Sequence, residues 1–172
     1  MADRSGMVTL LGNPVTLTGN PVGEGDALPE FSVLDTEMNE FNSSSLKGDT
    51  AVVLTVPSLD TPVCDTEVRR FNREAASLGD DVRVVVISMD LPFAQARWCG
   101  AAGIDSVQTC SDHRDADAGL SLGVLMKEVR LLARAAFVIG SDGIVRFAQI
   151  VPEVGEEPDY AAVLDAVKQA RS

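Results

Sequence analysis

Residues 51–64 read Ala51-Val52-Val53-Leu54-Thr55-Val56-Pro57-Ser58-Leu59-Asp60-Thr61-Pro62-Val63-Cys64, an uncharged β-branched run that passes through a polar loop to a cysteine. Ala51 to Val56 has the composition of a strand buried on both faces, and Pro57 ends it. Beyond Val63 the periodicity changes. Cys64, Val68, Phe71, Ala75 and Leu78 fall at i, i+4, i+7, i+11 and i+14, so one helix face gathers them and turns Cys64 inward. Thr61 is placed to cap this helix and Pro62 to occupy its first position. Cys64 then stands at the third, where backbone N–H groups have no helical partner. Those donors and the helix dipole favour a thiolate. Asp65 and Glu67 act against it, so a cation must offset them. A small buried hydrophobe is the alternative for a cysteine on an apolar face, but the loop and the capped helix fit a reactive thiol better.

Further along, Val82 to Ser88 is a second buried strand, followed by a helix from Pro92 to Gly100. Two strands joined by the Cys64 helix make a βαβ unit. A right-handed crossover sets them parallel in one sheet, with Cys64 at the carboxyl edge of the first. Val107 to Cys110 suggests another strand, Ala116 to Val124 a short helix weakened by Gly119 and Gly123, and Met126 to Leu132 a loop or turn. Ala135 to Ile139 and Ile144 to Ala148 flank Gly140-Ser141-Asp142-Gly143, a hairpin signal that gives the sheet an antiparallel side. A last helix, Tyr160 to Ala170, carries the apolar stripe Tyr160, Val163, Leu164 and Val167. Upstream, Met7 to Leu11 and Val15 to Thr18 flank Gly12-Asn13-Pro14, a β-hairpin expected outside the main core. Asn20 to Leu28 is loop, Phe31 to Leu34 a short strand, and Asn42 to Asp49 a turn before the central strand.

At 172 residues the chain suits a single domain, residues 1–172, with a full hydrophobic core. Lys and Arg number 14 against 26 Asp and Glu, a formal charge of −12 without a basic cluster, so nucleic acid is not an expected partner. Met1 to Gly6 has no basic segment leading into an apolar one, and no run of eighteen apolar residues occurs. The expectation is a cytoplasmic protein with no membrane partner. Three cysteines without a CxxC point to catalysis or bystanders rather than a disulfide framework.

Pro57-x-x-x-Thr61-x-x-Cys64 resembles the peroxidatic-cysteine motif of the peroxiredoxins. With Arg69, Phe71 and Asn72, the stretch from Pro57 to Cys64 is similar to their thiol peroxidase subfamily in particular. Gly12-Asn13-Pro14-Val15-Thr16, Asp90-Leu91-Pro92-Phe93-Ala94-Gln95, Cys99-Gly100, Ala133-Arg134-Ala135 and Glu157-Pro158-Asp159-Tyr160 match the same subfamily in the same order, over nearly the whole chain. The resemblance implies a thioredoxin-like α/β fold with a central mixed sheet flanked by helices, and agrees with the order of elements above. It implies a peroxidase acting on hydrogen peroxide and organic hydroperoxides, needing no cofactor, working as a homodimer and recycled by thioredoxin. Cys64 is then the peroxidatic thiol. Thr61 and the Cys64 N–H hold the peroxide oxygens, and Pro57 covers the pocket. Read from the residues alone, Thr61 is a cap and Pro57 a strand terminator.

Arg134 interrupts an apolar stretch, Leu131 to Ala136, and a guanidinium there needs an anionic partner. A Cys64 thiolate would serve, and so would one of the many carboxylates. The resemblance carries the catalytic arginine onto Arg134 and the resolving thiol onto Cys99 in Arg97-Trp98-Cys99-Gly100. A disulfide wants Cα atoms roughly 4.4–6.8 Å apart, so two thiols on separate helices imply local unfolding before the bond closes. Gly100 and Gly103 ease it. Cys110 is a third thiol that the resemblance does not need, and it reads as a buried bystander able to compete for a sulfenic acid.

Two other readings compete. Cys110-x-x-His113 has ligand-like spacing, and Cys99 with Cys64 would complete a Cys3His zinc set. A redox sensor would use the same thiols but react once per oxidation event. The context Ser111-Asp112-His113-Arg114-Asp115 argues against a Ser/His/Asp hydrolase, and Thr61-Pro62-Val63-Cys64 lacks the first cysteine of a disulfide reductase.

Overall fold

The computed structural model describes residues 2–171. In chain order the elements are β1 (Ala2–Leu10), β2 (Asn13–Gly19), β3 (Ser32–Leu34), β4 (Glu40–Asn42), β5 (Thr50–Thr55), α1 (Pro62–Leu78), β6 (Val82–Ser88), α2 (Pro92–Ala102), β7 (Gln108–Ser111), α3 (Asp117–Ser121), β8 (Leu125–Met126), β9 (Leu131–Leu132), β10 (Ala135–Ile139), β11 (Val145–Ile150) and α4 (Tyr160–Arg171). The main sheet runs β11-β10-β5-β6-β7-β3-β4. Within it β5, β6 and β7 are parallel, while β10 and β3 flank them antiparallel. This is a thioredoxin-like α/β fold with a central mixed sheet and an N-terminal β-hairpin.

The uncharged run in β5 is buried at every position, as its composition requires of a strand covered on both faces. Alternate residues serve two cores. Val53, Val85, Ile87 and Phe137 face one side, while Val52, Leu54, Val84, Val86, Ala136 and Val138 face the side packed by Val68 and Phe71 of α1 and by Val163 and Val167 of α4. Cys64 belongs to the helical side and Cys110 to the other.

Three expectations are corrected. The β1–β2 hairpin is not outside the core, because Val8, Val15 and Leu17 are buried among the residues of the first face. Its turn is Leu11-Gly12, both with positive φ (52° and 79°), so Asn13 and Pro14 belong to the strand. Met126 to Leu132 is not a plain loop: β8 and β9 pair with each other, and β8 extends the hairpin into a second sheet, β1-β2-β8-β9. Two-residue strands carry no period to read, and this pair exists because β2 offers it a free edge. Glu40–Asn42, partly read as turn, is the edge strand β4 on β3, and a 3₁₀ turn at Ser43–Leu46 follows it.

Gly119 in α3 weakens a helix in the sequence reading, and the structure supplies its use. A Cβ there would lie 2.6 Å from Leu132 Cδ2 and 3.3 Å from Leu125 Cβ, so any larger residue would have to displace the Leu132 side chain. Among the described residues no helix is long and apolar enough to cross a membrane.

Candidate active site

The first turn of α1 is built as its residue types require. Thr61 is the extended N-cap, Pro62 follows it, and the Thr61 hydroxyl accepts the Cys64 N–H at 3.4 Å while donating to Ser58 O at 3.0 Å. Cys64 is 0% exposed and Pro57 is buried. Beside this turn lies an open hollow of about 430 Å³, lined by Pro62, Val63, Thr66 and Gly155 to Glu157.

Asp65 is met within its own helix by Arg69, and the cation beside Cys64 and Glu67 is Arg134. It leaves the strand edge before β10, is 1% exposed, and places Nη2 at 3.3 Å from Cys64 Sγ. Its Nη1 donates to Glu67 Oε2, and its Nε to Val154 O at 3.0 Å. Thiol and carboxylate were alternative partners for Arg134 in the sequence; the fold gives it both. Glu67 lies one helical turn after Cys64 and is also fully buried. Burial acts to lower the Arg134 guanidinium, but the charges of Cys64 and Glu67 outweigh it and hold the group above its ordinary value. Desolvation pushes the Glu67 carboxyl up to about 7, against the charge and hydrogen bond of Arg134. Its Oε1 finds no hydrogen-bond partner among the described residues.

This has a consequence for stability. An acid whose folded value lies above its unfolded value of 4.5 binds more protons in the folded state between the two, so its stabilising contribution is full below 4.5 and declines as pH rises to about 7. In a Cys64→Ser background, which removes the neighbouring thiol, denaturant unfolding should show stability falling with pH across this window. Adding Glu67→Gln should flatten the fall; an unchanged slope would assign the titration to another group.

A carboxylate beneath the loop holds it in place. Asp90 accepts Ser58 Oγ at 2.7 Å through Oδ1, and both Leu59 N–H at 2.8 Å and Ser88 Oγ at 2.7 Å through Oδ2. Ser58 O in turn receives the Thr61 hydroxyl, so Asp90 sets the position of the cap through the loop.

Cys99 lies near the end of α2, half-buried, with Sγ 3.4 Å from Thr109 Oγ1. Thr109 pairs with Val86, on the helical face of the sheet that also receives Cys64. Cys110 is fully buried on the opposite face, where burial pushes its thiol up to about 12. All three cysteines are free thiols. His113 is occupied by Ser111 Oγ at 3.0 Å, and among the described residues no group of three or more His, Cys, Asp or Glu side chains is arranged to hold a metal ion.

Glu67 enters the sequence reading only as an opposing charge and Asp90 only as part of a resembling stretch. The signal for Glu67 was its spacing of three from Cys64 on the inward stripe. Nothing in the sequence points Asp90 at Ser58, because the two meet across parallel strands.

A capped, arginine-paired cysteine at the carboxyl edge of a thioredoxin-like sheet marks the peroxiredoxin class. The Redoxin family model matches residues 23–164. The thiol peroxidase of Bacillus subtilis (strain 168) is 50% identical over 161 residues, covering 94% of this chain and 96% of that protein. That of Staphylococcus aureus (strain MRSA252) is 46% identical, covering 94% and 97%. A crystal structure of a peroxiredoxin-like protein from Aquifex aeolicus superimposes with a TM-score of 0.90 at 43% identity, covering 97% of this chain and 99% of that one. The chain belongs to the thiol peroxidase family of the peroxiredoxins and is an enzyme of peroxide reduction.

Proposed function

We propose that Cys64 is the peroxidatic thiol and Cys99 the resolving one, in a cycle closed by thioredoxin. The Cys64 thiolate attacks one oxygen of the O–O bond. That oxygen stays on sulfur as a sulfenic acid, and the other leaves as alkoxide or hydroxide and takes up a proton. The Cys99 thiol then displaces water to form a disulfide within one subunit, and two electrons from the thioredoxin dithiol restore both thiols.

The observation that carries this reading is the Arg134 bridge between Cys64 and Glu67. A guanidinium locked by a buried carboxylate is already oriented toward the reacting sulfur, and its charge also opposes that of the leaving oxygen. Burial keeps water from both. Thr61 and the Cys64 N–H serve as the peroxide holders in this scheme, with Pro57 closing the pocket. Cys99 is favoured over Cys110 because the main sheet separates Cys110 from Cys64. We further propose a cytoplasmic homodimer needing no cofactor. Leu91 and Phe93, 52% and 68% exposed at the start of α2, supply apolar surface for the partner to cover.

The test is to give the reduced protein one equivalent of an alkyl hydroperoxide, trap free thiols and map disulfides by peptide mass spectrometry. A Cys64–Cys99 bond within one chain is expected. A bond to Cys110 would change the resolver, and three untouched thiols would overturn the reading. Cys99→Ser should consume one equivalent of peroxide and then stall or over-oxidise; sustained thioredoxin-dependent turnover would remove Cys99 from the mechanism.

A further inference from the structure

The helix that carries Cys64 also grips the end of the helix that carries Cys99. Trp98 Nε1 donates to Asp65 Oδ1 at 2.9 Å, and Arg69 Nε donates to Asp65 Oδ2 at 2.9 Å. The Arg69 guanidinium lies over the Trp98 ring, 5.8 Å from its centroid, and Nη1 reaches Ala102 O at 3.3 Å. One turn further on, Asn72 Oδ1 accepts the N–H groups of Asp105 at 3.3 Å and Ser106 at 2.8 Å. Asp65, Arg69 and Asn72 are spaced i, i+4, i+7, a single stripe of α1 devoted to the end of α2 and the turn after it.

The two ends of α2 are held differently. Gln95, in its first half, is fully buried and donates to Ser88 Oγ at 3.0 Å and Cys110 O at 2.8 Å, which pins that half to the sheet. The second half holds Gly100, whose added Cβ would meet nothing within 4 Å, and ends at Gly103 in the left-handed conformation. Glycine at both positions makes this half cheap to unwind. Apart from the 3.4 Å contact of Cys99 Sγ with Thr109 Oγ1 and the packing of Trp98 and Ile104 on the core, its side-chain hydrogen bonds go to the stripe on α1.

We propose that the Asp65–Trp98–Arg69 cluster is a latch that keeps Cys99 docked until Cys64 has been oxidised, so that one unwinding event releases both thiols. Asp65 follows Cys64 directly and Trp98 precedes Cys99 directly. Unwinding the first turn of α1 carries the Asp65 carboxylate away from the indole and from Arg69. The end of α2 is then freed at the moment its thiol is needed. Asp65 and Trp98 touch no reacting atom and act as positioning residues. The latch sets how long the sulfenic acid persists, and therefore how readily a second peroxide over-oxidises it.

This inference rests on Cys99 being the resolver, and the test separates the two. Trp98→Phe keeps an aromatic side chain and removes the indole N–H; Asp65→Asn keeps the shape and removes the charge. Rapid mixing with peroxide resolves a first phase that depends on peroxide concentration and a second, disulfide closure, that does not. In Trp98→Phe the first rate constant should be unchanged, whereas the second should rise roughly ten- to a hundredfold, the scale of a lost hydrogen bond to a charged group. Sulfinic acid should then appear only at higher peroxide. Asp65→Asn should also accelerate closure. In the wild type, Trp98 is the only tryptophan, and its fluorescence should change with the second phase rather than the first. Closure at the wild-type rate in both variants would overturn the latch alone. Absence of a Cys64–Cys99 bond in the wild type would overturn the resolver and the latch together.

Discussion

Cys64→Ser is expected to abolish thioredoxin-dependent peroxide consumption while leaving the fold in place. A serine hydroxyl is not ionised near neutrality and is a far weaker nucleophile than a thiolate, so the attack on the O–O bond has no agent. The substitution hardly changes volume. The Thr61 cap uses the backbone N–H of residue 64 and survives, and Arg134 keeps Glu67 and Val154 O as partners. Unfolding free energy should therefore stay within about 1 kcal/mol of the wild type, small among core substitutions. Retained peroxide consumption in a protein with native circular dichroism would place the chemistry on another residue.

Arg134→Ala should be the most damaging substitution for stability and rate together. It removes the cation from a buried cluster and leaves Glu67, 0% exposed, without its partner, a kind of loss that costs about 3–5 kcal/mol. It also strips Cys64 Sγ of its charged donor, and oxidation by peroxide should slow by roughly 10²–10³, the scale of one lost electrostatic stabiliser. The two effects can be parted. Arg134→Met with Glu67→Gln replaces the ion pair by neutral groups of similar volume, which should recover most of the stability but none of the rate. Recovery of both would mean that Arg134 is only a structural partner of Glu67.

Much of this was readable from local chemistry. The β5 run, the switch to helical period at Val63 and the Thr61-Pro62 start decide the strand, the helix and the place of Cys64 within its first turn, and all appear as expected. These features depend on backbone satisfaction and burial over a few residues, so neighbouring positions carry the information. The parallel β5–β6 pair, the β10–β11 hairpin and the family resemblance follow from the same short-range patterns. Where the pattern is shorter than its own period, as in β8 and β9, the strands are not legible; the β1–β2 hairpin is legible, but not its burial, because what covers it, β8 and the first core face, lies far along the chain.

The site divides in the same way. The sequence by itself determined a capped, inward-facing cysteine that required a nearby cation, because the helix terminus and its two carboxylates are local. Tertiary structure alone decided that one arginine serves both Cys64 and Glu67, and that Asp90 fastens the loop from beneath. It also put Cys99 on the helical face of the sheet and Cys110 behind it. Such pairings join residues tens of positions apart, and their energies come from burial and geometry that arise only once the sheet and helices have packed.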